Sequence, residues 1–213
     1  MENNLEIINL FPIPLLRSSL PISFSKLTPF FDSQEIEISL HSKEYGERSK
    51  NTYLFSLPEL KELSEYILSL VSLFGKEVLN YNYNTYKFTQ SWISLKHPNQ
   101  SHINHIHPNS LISGVLYYGE FTKDTPSINF NKTVISFNTP VLAPKLNTNK
   151  NTIYSSPSYS LSVSPGTLIL FPSFLNHSVP KNNTSTVRKS LAFNVIPQEG
   201  FGEETFLNEL KFN

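Results

Sequence analysis

The sequence has no cysteine among its 213 residues. Disulfides, thiolate metal sites and cysteine nucleophiles are therefore excluded, and a metal ion would have to be bound by histidine or carboxylate side chains. The sequence also has no excess of charge, because 17 basic residues balance 17 acidic ones. A neutral chain provides no long-range field that attracts nucleic acid or an anionic membrane, so neither is expected as a partner.

Long hydrophobic runs are missing as well. No stretch approaches the roughly 18 apolar residues that a membrane helix requires. The apolar residues near the N-terminus are interrupted by Pro12 and Pro14 and follow an acidic residue, which is unlike a secretion signal. We therefore predict a cytoplasmic protein. The sequence leaves the oligomeric state open, a homo-oligomer included.

Material for a hydrophobic core is plentiful, with 16 Phe and 10 Tyr, and the length suits one domain over residues 1–213. From residue 86 onward, short β-branched and aromatic runs alternate with Pro, Asn, Ser and Gly, a texture typical of antiparallel β proteins. The predicted strands are 87–95, 105–108 continuing into 111–121, 126–130, 133–137, 160–164, 166–172 and 187–196.

Helical patterns flank this β region. Apolar residues recur every three or four positions within 56–78, which predicts an amphipathic helix with Ser56 as its cap. A shorter helix is predicted within 203–212. We therefore divide the domain into N-terminal strands and a packing helix (1–85), a β core (86–198) and a C-terminal helix (199–213). The polar segment from about 138 to 160 is predicted to be a surface loop or lid.

Three of the six histidines crowd into residues 102–107. If His105 and His107 lie on a strand, their side chains point the same way and could hold one metal ion. Alone this is a weak signal, because exposed histidine pairs usually bind nothing. His102 is at odd spacing from the other two, so we interpret it as a residue of the rim, with a contact to a metal-binding residue as the lesser possibility. His177 follows another predicted strand and is the candidate for a distal ligand.

The strand after His177 alternates between two kinds of residue. One face is apolar and predicted to join the core: Val187, Leu191, Phe193 and Val195. The other face is polar or small: Arg188, Ser190, Ala192 and Asn194. The second face is either the wall of a polar cavity or an outer surface in water. The order of all these features along the chain favours the cavity.

This order resembles that of the Fe(II) and 2-oxoglutarate-dependent dioxygenases. The segments "NHIHPNSLISGVLYY", "PGTLILFPSFLNHSV" and "RKSLAFN" are similar to a family of 2-oxoglutarate/Fe(II) oxygenases known from marine bacteria and cyanophages. The resemblance implies a mainly β fold, the double-stranded β-helix (a jelly roll, cupin-like), with flanking helices. It also implies Fe(II) and 2-oxoglutarate as cofactors.

The resemblance also implies roles for individual residues. His105, His107 and His177 would bind the iron, and Arg188 with Ser190 would bind the far carboxylate of 2-oxoglutarate. Tyr117 and Asn194 are further candidates to contact 2-oxoglutarate. The reaction implied is hydroxylation of an unknown substrate with release of succinate and CO2.

One position departs from the broad dioxygenase pattern, which has a carboxylate where this sequence has His107. Three neutral imidazoles leave the iron one unit more positive than two imidazoles and a carboxylate do. Two alternatives therefore stay open. The chain could be a three-His iron oxidase that does not use 2-oxoglutarate, or a jelly-roll module that binds metal without catalysis.

Overall fold

Two antiparallel β-sheets form the centre of the molecule, for which a computed structural model describes residues 6–20, 24–38, 42–132 and 152–212. The larger sheet contains, in spatial order, β1 (Leu16–Ser19), β9 (Thr167–Pro172), β6 (Ile112–Tyr118), β11 (Arg188–Pro197), β4 (Tyr86–Lys96), β3 (Glu47–Ser49) and β2 (Ile36–Glu37). The smaller sheet contains β5 (His102–His105), β10 (His177–Val179), β7 (Ile128–Asn131) and β8 (Ser158–Leu161).

The chain alternates between these sheets from β4 to β11, except that β7 and β8 both lie in the smaller one. The sheets face each other, because Tyr117 and Phe171 of the larger sheet share one buried cluster with Ile128 and Phe130 of the smaller. This arrangement is the predicted double-stranded β-helix. Its strands lie between residues 86 and 197.

The predicted long helix packs on the outer face of the larger sheet. Its main part is α3 (Lys61–Leu73), preceded by 3-10 turns at Leu54–Ser56 and Pro58–Leu60 and continued by a π-helical turn at Phe74–Val78. Its apolar stripe is buried in the same cluster as core residues of the larger sheet, which explains the periodicity: Leu63, Ile67, Val71, Phe74, Ile93, Leu191 and Phe193. Ser56 does not cap this helix, because its hydroxyl donates to the Tyr53 carbonyl at 2.7 Å inside the first 3-10 turn.

Two shorter helices lie earlier in the chain, α1 (Phe24–Asp32) and α2 (Ser42–Tyr45). In α1, the buried Phe31 ring contacts the Tyr118 ring with centroids 4.8 Å apart. Among the helices of the described ranges, none is long and apolar enough to cross a membrane.

The helix predicted near the C-terminus is wrong. The chain there forms a hairpin of β12 (Gly200–Phe201) and β13 (Leu210–Lys211) around a 3-10 turn at Glu204–Phe206. Leu207 has a positive φ of 54°, which ends that turn. The apolar side chains of Phe206 and Leu207 are 72% and 94% exposed, so no core surface is available to stabilise an amphipathic helix.

Two predicted features lie outside the described residues. One is the strand at 133–137, and the other is the part of the proposed loop or lid from 138 to 151. The rest of that segment, from residue 152, contains a turn followed by β8.

Candidate metal centre and adjoining cavity

Three histidines from two distant parts of the chain meet beside the smaller sheet. His105 ends β5 and lies directly opposite His177, the first residue of β10. His107 lies beyond the end of β5, in the loop that leads to β6, and its backbone N–H donates to the Ser173 carbonyl at 3.0 Å. One ring nitrogen from each histidine lies within 4.8 Å of the others. The predicted convergence of these three side chains is therefore present, although His107 is not on a strand.

The ring nitrogens are arranged as a shared metal ion would require. His105 Nδ1 lies 2.9 Å from the Ile103 carbonyl oxygen, and His177 Nδ1 lies 2.9 Å from the Leu175 carbonyl oxygen. These contacts assign the proton of each ring to Nδ1 and leave Nε2 with a free lone pair. The Nε2 atoms of His107 and His177 are 3.2 Å apart. Two nitrogens about 2.1 Å from one ion and at right angles would be about 3.0 Å apart, so the three histidines fit a metal ion.

Burial keeps these imidazoles neutral. It lowers the pKa of His107 to about 4 and that of His177 to about 3, with a further lowering from neighbouring histidines. Burial also lowers the pKa of His105, although the contact with Ile103 opposes this shift. Only a neutral imidazole can bind a metal. At neutral pH all three rings are therefore ready to act as ligands.

His102 contacts the cluster, which is the lesser of the two roles considered for it. The β5–β10 ladder is irregular, because His177 pairs with His105 while Val179 pairs with His102. The two-residue step from His177 to Val179 on β10 thus lies opposite a three-residue step on β5. This β-bulge changes which face of the sheet the side chains of β5 point to. The rings of His102 and His105 are 4.4 Å apart. Within the described ranges, His102 Nδ1 is buried and has no hydrogen-bond partner.

A cavity next to the histidines is closed at one side by Arg188, which is 3% exposed. Its Nε donates to the Pro126 carbonyl at 3.0 Å, and its Cζ lies 4.9 Å from the centre of the Tyr117 ring. The Tyr117 hydroxyl is buried beside Arg188 and makes no well-directed hydrogen bond to the described residues. No carboxylate of these residues forms an ion pair with Arg188. A buried cation without an anion indicates a ligand site.

The predicted alternation along β11 is confirmed for most of the strand. Arg188, Ser190 and Ala192 line the cavity, whereas Leu191, Phe193 and Val195 are buried in the core behind the sheet. Ser190 is 2% exposed and pairs with Ser94 of β4.

Asn194 lies apart from this cavity. A register shift between Asn194 and Val195 interrupts the β4–β11 ladder. The Asn194 Oδ1 accepts a hydrogen bond from Ser113 Oγ at 2.9 Å, and Ser113 Oγ lies 2.8 Å from Ser173 Oγ. Asn194 therefore belongs to a buried polar network, and its predicted contact with 2-oxoglutarate has no support from this geometry.

Lys96 is a site residue that the sequence interpretation missed. It is 3% exposed, lines the cavity and lies directly opposite Arg188 in the β4–β11 ladder. Its Nζ donates to Ser94 Oγ at 2.7 Å. Burial, together with the nearby Arg188 charge, lowers the Lys96 pKa to about 7. The alternation of Trp92, Ser94 and Lys96 along β4 was the available signal.

About half of the sequence matches a protein-family model. The model of the family described as "Putative 2OG-Fe(II) oxygenase" matches residues 90–194. This segment runs from β4 to β11 and contains the three clustered histidines and Arg188. No curated protein sequence matches the chain.

Solved structures with the same fold are distant in sequence. The non-heme alpha ketoglutarate dependent carbocyclase SnoK from nogalamycin biosynthesis has a TM-score of 0.60 and 13% identity, over 88% of this chain and 81% of SnoK. A Pseudomonas putida prolyl-4-hydroxylase has a TM-score of 0.56 and 12% identity, over 85% and 92% of the two chains. HygX from Streptomyces hygroscopicus, solved with nickel, 2-oxoglutarate and hygromycin B bound, has a TM-score of 0.58 and 12% identity, over 87% and 83%.

Proposed function

Since residues 90–194 match the model of a 2OG-Fe(II) oxygenase family, we propose that this chain couples conversion of 2-oxoglutarate into succinate and CO2 to hydroxylation of an unidentified substrate. One observation carries the proposal. Three neutral imidazoles with mutually facing nitrogens share a cavity with a buried arginine that has no anionic partner among the described residues.

We assign Fe(II) to His105, His107 and His177. Their Nε2 atoms are the available donors, because the backbone contacts of His105 and His177 occupy the other nitrogen of each ring. Fe(II) with 2-oxoglutarate supplies the oxygen chemistry in enzymes of this kind, while the protein supplies binding and orientation. HygX, which has the same fold, was solved with 2-oxoglutarate bound.

Arg188 and Ser190 are assigned to the far carboxylate of 2-oxoglutarate. The Arg188 Nε is held by the Pro126 carbonyl, so the guanidinium is fixed while its two terminal nitrogens remain to bind oxygen atoms. Ser190, two residues along the same face, offers a hydroxyl from the same cavity wall. The Tyr117 ring packs against the guanidinium. The Tyr117 hydroxyl is a third group that could donate a hydrogen bond to 2-oxoglutarate.

Charge balance also supports a dianionic co-substrate. A carboxylate ligand would bring one negative charge, whereas His107 brings none. A centre loaded with Fe(II) would therefore contain a divalent cation that no ligand charge offsets, with Arg188 nearby. Two carboxylates of 2-oxoglutarate would offset part of that charge. Their binding is thus more favourable here than in a centre that already contains a carboxylate.

The direct test is an oxygen-uptake assay on protein purified without oxygen and loaded with Fe(II). We expect oxygen consumption that depends on 2-oxoglutarate and yields succinate. Without the true substrate this reaction should continue at a reduced rate. Stoichiometric zinc and no oxygen consumption would instead favour a metal-binding jelly-roll module.

The three-His set by itself also suits an iron oxidase that does not use 2-oxoglutarate. Arg188→Ala separates the two functions. Under our proposal it abolishes succinate formation, because the charge that binds the far carboxylate is removed. Turnover that is independent of 2-oxoglutarate and survives this substitution would establish the oxidase.

A further inference from the structure

The two buried cationic side chains of the site, Arg188 and Lys96, extend in different directions from neighbouring backbone positions. Arg188 and Lys96 are paired residues on β11 and β4, and both line the cavity. The Arg188 guanidinium extends toward β6, where it covers the Tyr117 ring and reaches the Pro126 carbonyl. The Lys96 ammonium instead contacts Ser94 of its own strand. The two charges are therefore presented to different places.

Gly46 makes room for the Lys96 side chain. This glycine precedes β3 and has a φ of 85°. A Cβ on Gly46 would lie 2.5 Å from Lys96 Cδ and 2.8 Å from its Nζ. A residue with a side chain would therefore displace the ammonium. The Lys96 charge lies against this turn, on the side of β4 that faces away from Arg188.

This turn forms part of a groove of about 630 Å³ that also exposes His105 and His107. The charged residues along it are mostly paired. Arg48 binds Glu37 with a separation of 2.8 Å, and Glu47 lies 3.0 Å from His97. Lys96 lines the groove as well, and no carboxylate of the described ranges forms an ion pair with it.

An isolated ammonium in such a place is costly. Removing an unpaired charge from water is unfavourable by several kcal/mol, and burial accordingly lowers the Lys96 pKa. The nearby His102 Nδ1 is also buried without a partner in the described part of the chain. The Lys96 ammonium has only the neutral Ser94 hydroxyl as its recorded acceptor among the described residues. Together with the unpartnered His102 Nδ1, it indicates a ligand that brings negative charge.

We propose that Lys96 forms a second anion site, separate from the Arg188 site, which binds a carboxylate or phosphate group of the substrate in the groove beside the three histidines. This inference rests on the proposed function, since the groove adjoins a reaction centre only if the histidines hold Fe(II). It narrows the substrate to an anionic molecule.

The chain offers an internal probe, because Trp92 is its only tryptophan and lines the groove. Protein loaded with Ni(II), which does not support turnover, and saturated with 2-oxoglutarate would be titrated with inorganic phosphate and with acetate at constant ionic strength. We expect a saturable change in Trp92 fluorescence with at least one of the two anions. The apparent Kd should rise more than tenfold in both Lys96→Gln and Lys96→Met.

Two further variants locate the effect. Lys87→Met removes the same charge from an exposed position of the same strand and should leave anion binding unchanged. Binding of 2-oxoglutarate to the Ni(II) protein, measured by calorimetry, should change less than threefold in the Lys96 variants. In Arg188→Met it should weaken about 100-fold or more, as expected for loss of a buried charged partner.

The possible results distinguish failure of the second anion site from failure of the proposed function. If the Lys96 variants lose 2-oxoglutarate as Arg188→Met does, Lys96 belongs to the co-substrate site and the second site does not exist. The second site also does not exist if the wild type shows no saturable change in fluorescence. If both Lys96 variants keep the wild-type response, the response reflects an adventitious ion only. If the wild type fails to bind 2-oxoglutarate at all, the proposed function is wrong. Thermal unfolding checks folding, and removal of an unpaired buried charge should not lower the Tm.

Discussion

The Nε2 atoms of His107 and His177 lie 3.2 Å apart, although 70 residues separate the two histidines along the chain. His177 keeps its proton on Nδ1, which contacts the Leu175 carbonyl, so its Nε2 presents a lone pair to His107. In the metal-free protein this distance suits a hydrogen bond from His107 Nε2 to that lone pair. If His107 instead carries its proton on Nδ1, both Nε2 atoms can bind one metal ion.

Replacement of His177 tests this relationship. We expect His177→Ala to weaken binding of Ni(II) or Zn(II) by more than 100-fold, because loss of a ligand exceeds the 10- to 100-fold loss typical of groups that only orient ligands. Competition with a chromophoric chelator measures the affinity. His97→Gln is the matched control, since His97 contacts Glu47 away from the cluster. Equal metal affinity in wild type and His177→Ala would contradict the assignment.

Tyr117→Phe tests the inner end of the cavity. The Tyr117 hydroxyl is buried beside Arg188 without a well-directed partner, so its removal should not destabilise the ligand-free protein. If the hydroxyl donates to 2-oxoglutarate, the affinity should fall by roughly 2- to 13-fold, which corresponds to the 0.5–1.5 kcal/mol of one hydrogen bond. Calorimetry with the Ni(II) protein measures the change.

Tyr118→Phe is the control for that experiment, because Tyr118 points to the opposite face and packs on Phe31. It should leave the affinity for 2-oxoglutarate unchanged. If Tyr117→Phe and Tyr118→Phe have the same affinity as the wild type, the Tyr117 hydroxyl has no role in binding.

Local periodicity was sufficient to predict the parts of the fold where one strand or helix has one buried face. The alternation from Arg188 to Ala192 and the stripe along α3 are examples, because burial of one face imposes the pattern directly. The three histidines were found together because their family resemblance assigns them one metal, and the strand pairing of His105 with His177 explains the convergence.

Features that depend on irregular pairing were not predictable in this way. The bulge at His102 depends on how β5 and β10 pair, so the sequence of either strand alone does not predict it. The short strand β10 is missing from the predicted strands, since its three residues are too few to show a period. The burial of Lys96 depends on the space beside Gly46, a contact across 50 residues. The cytoplasmic location and the absence of nucleic-acid partners stay predictions, and the oligomeric state stays open.

Asn194→Ala tests the separation of the polar network from the cavity. Its loss removes one hydrogen bond of the buried Ser113 hydroxyl, which keeps Ser173 Oγ as a partner, and should cost about 0.5–1.5 kcal/mol of unfolding free energy. The affinity for 2-oxoglutarate should stay unchanged. Urea unfolding and calorimetry measure the two quantities. Asn129→Ala, which removes an exposed bond from Ser160, should cost less than about 0.5 kcal/mol. A large loss of 2-oxoglutarate affinity in Asn194→Ala would restore its predicted role in binding.

The stability of the metal-free protein should depend on pH through the buried histidines. Burial lowers the pKa of His102 and His177 to about 3 and that of His107 to about 4, whereas the same residues titrate near 6.5 in the unfolded chain. Below pH 6.5 the unfolded chain therefore binds protons that the folded chain refuses. The stability is fully present above pH 6.5 and falls as the pH drops toward 4, by up to about 1.4 kcal/mol per pH unit for each histidine.

Urea unfolding in the presence of a chelator between pH 7 and pH 5 measures this slope. Lys96 does not interfere, because its pKa is lowered only to about 7 and the group is protonated in both states across most of this range. His177→Gln should reduce the slope, since one titrating ring is removed.

The lowered pKa values of the histidines also change the pH at which protons compete with the metal ion for the site. The unperturbed pKa of histidine would predict weaker metal binding below about pH 6.5. Because burial lowers the pKa of all three rings, the decline in metal affinity should begin at a lower pH. A metal affinity that already declines at pH 6.5 would show that the rings are more accessible to water than their burial implies.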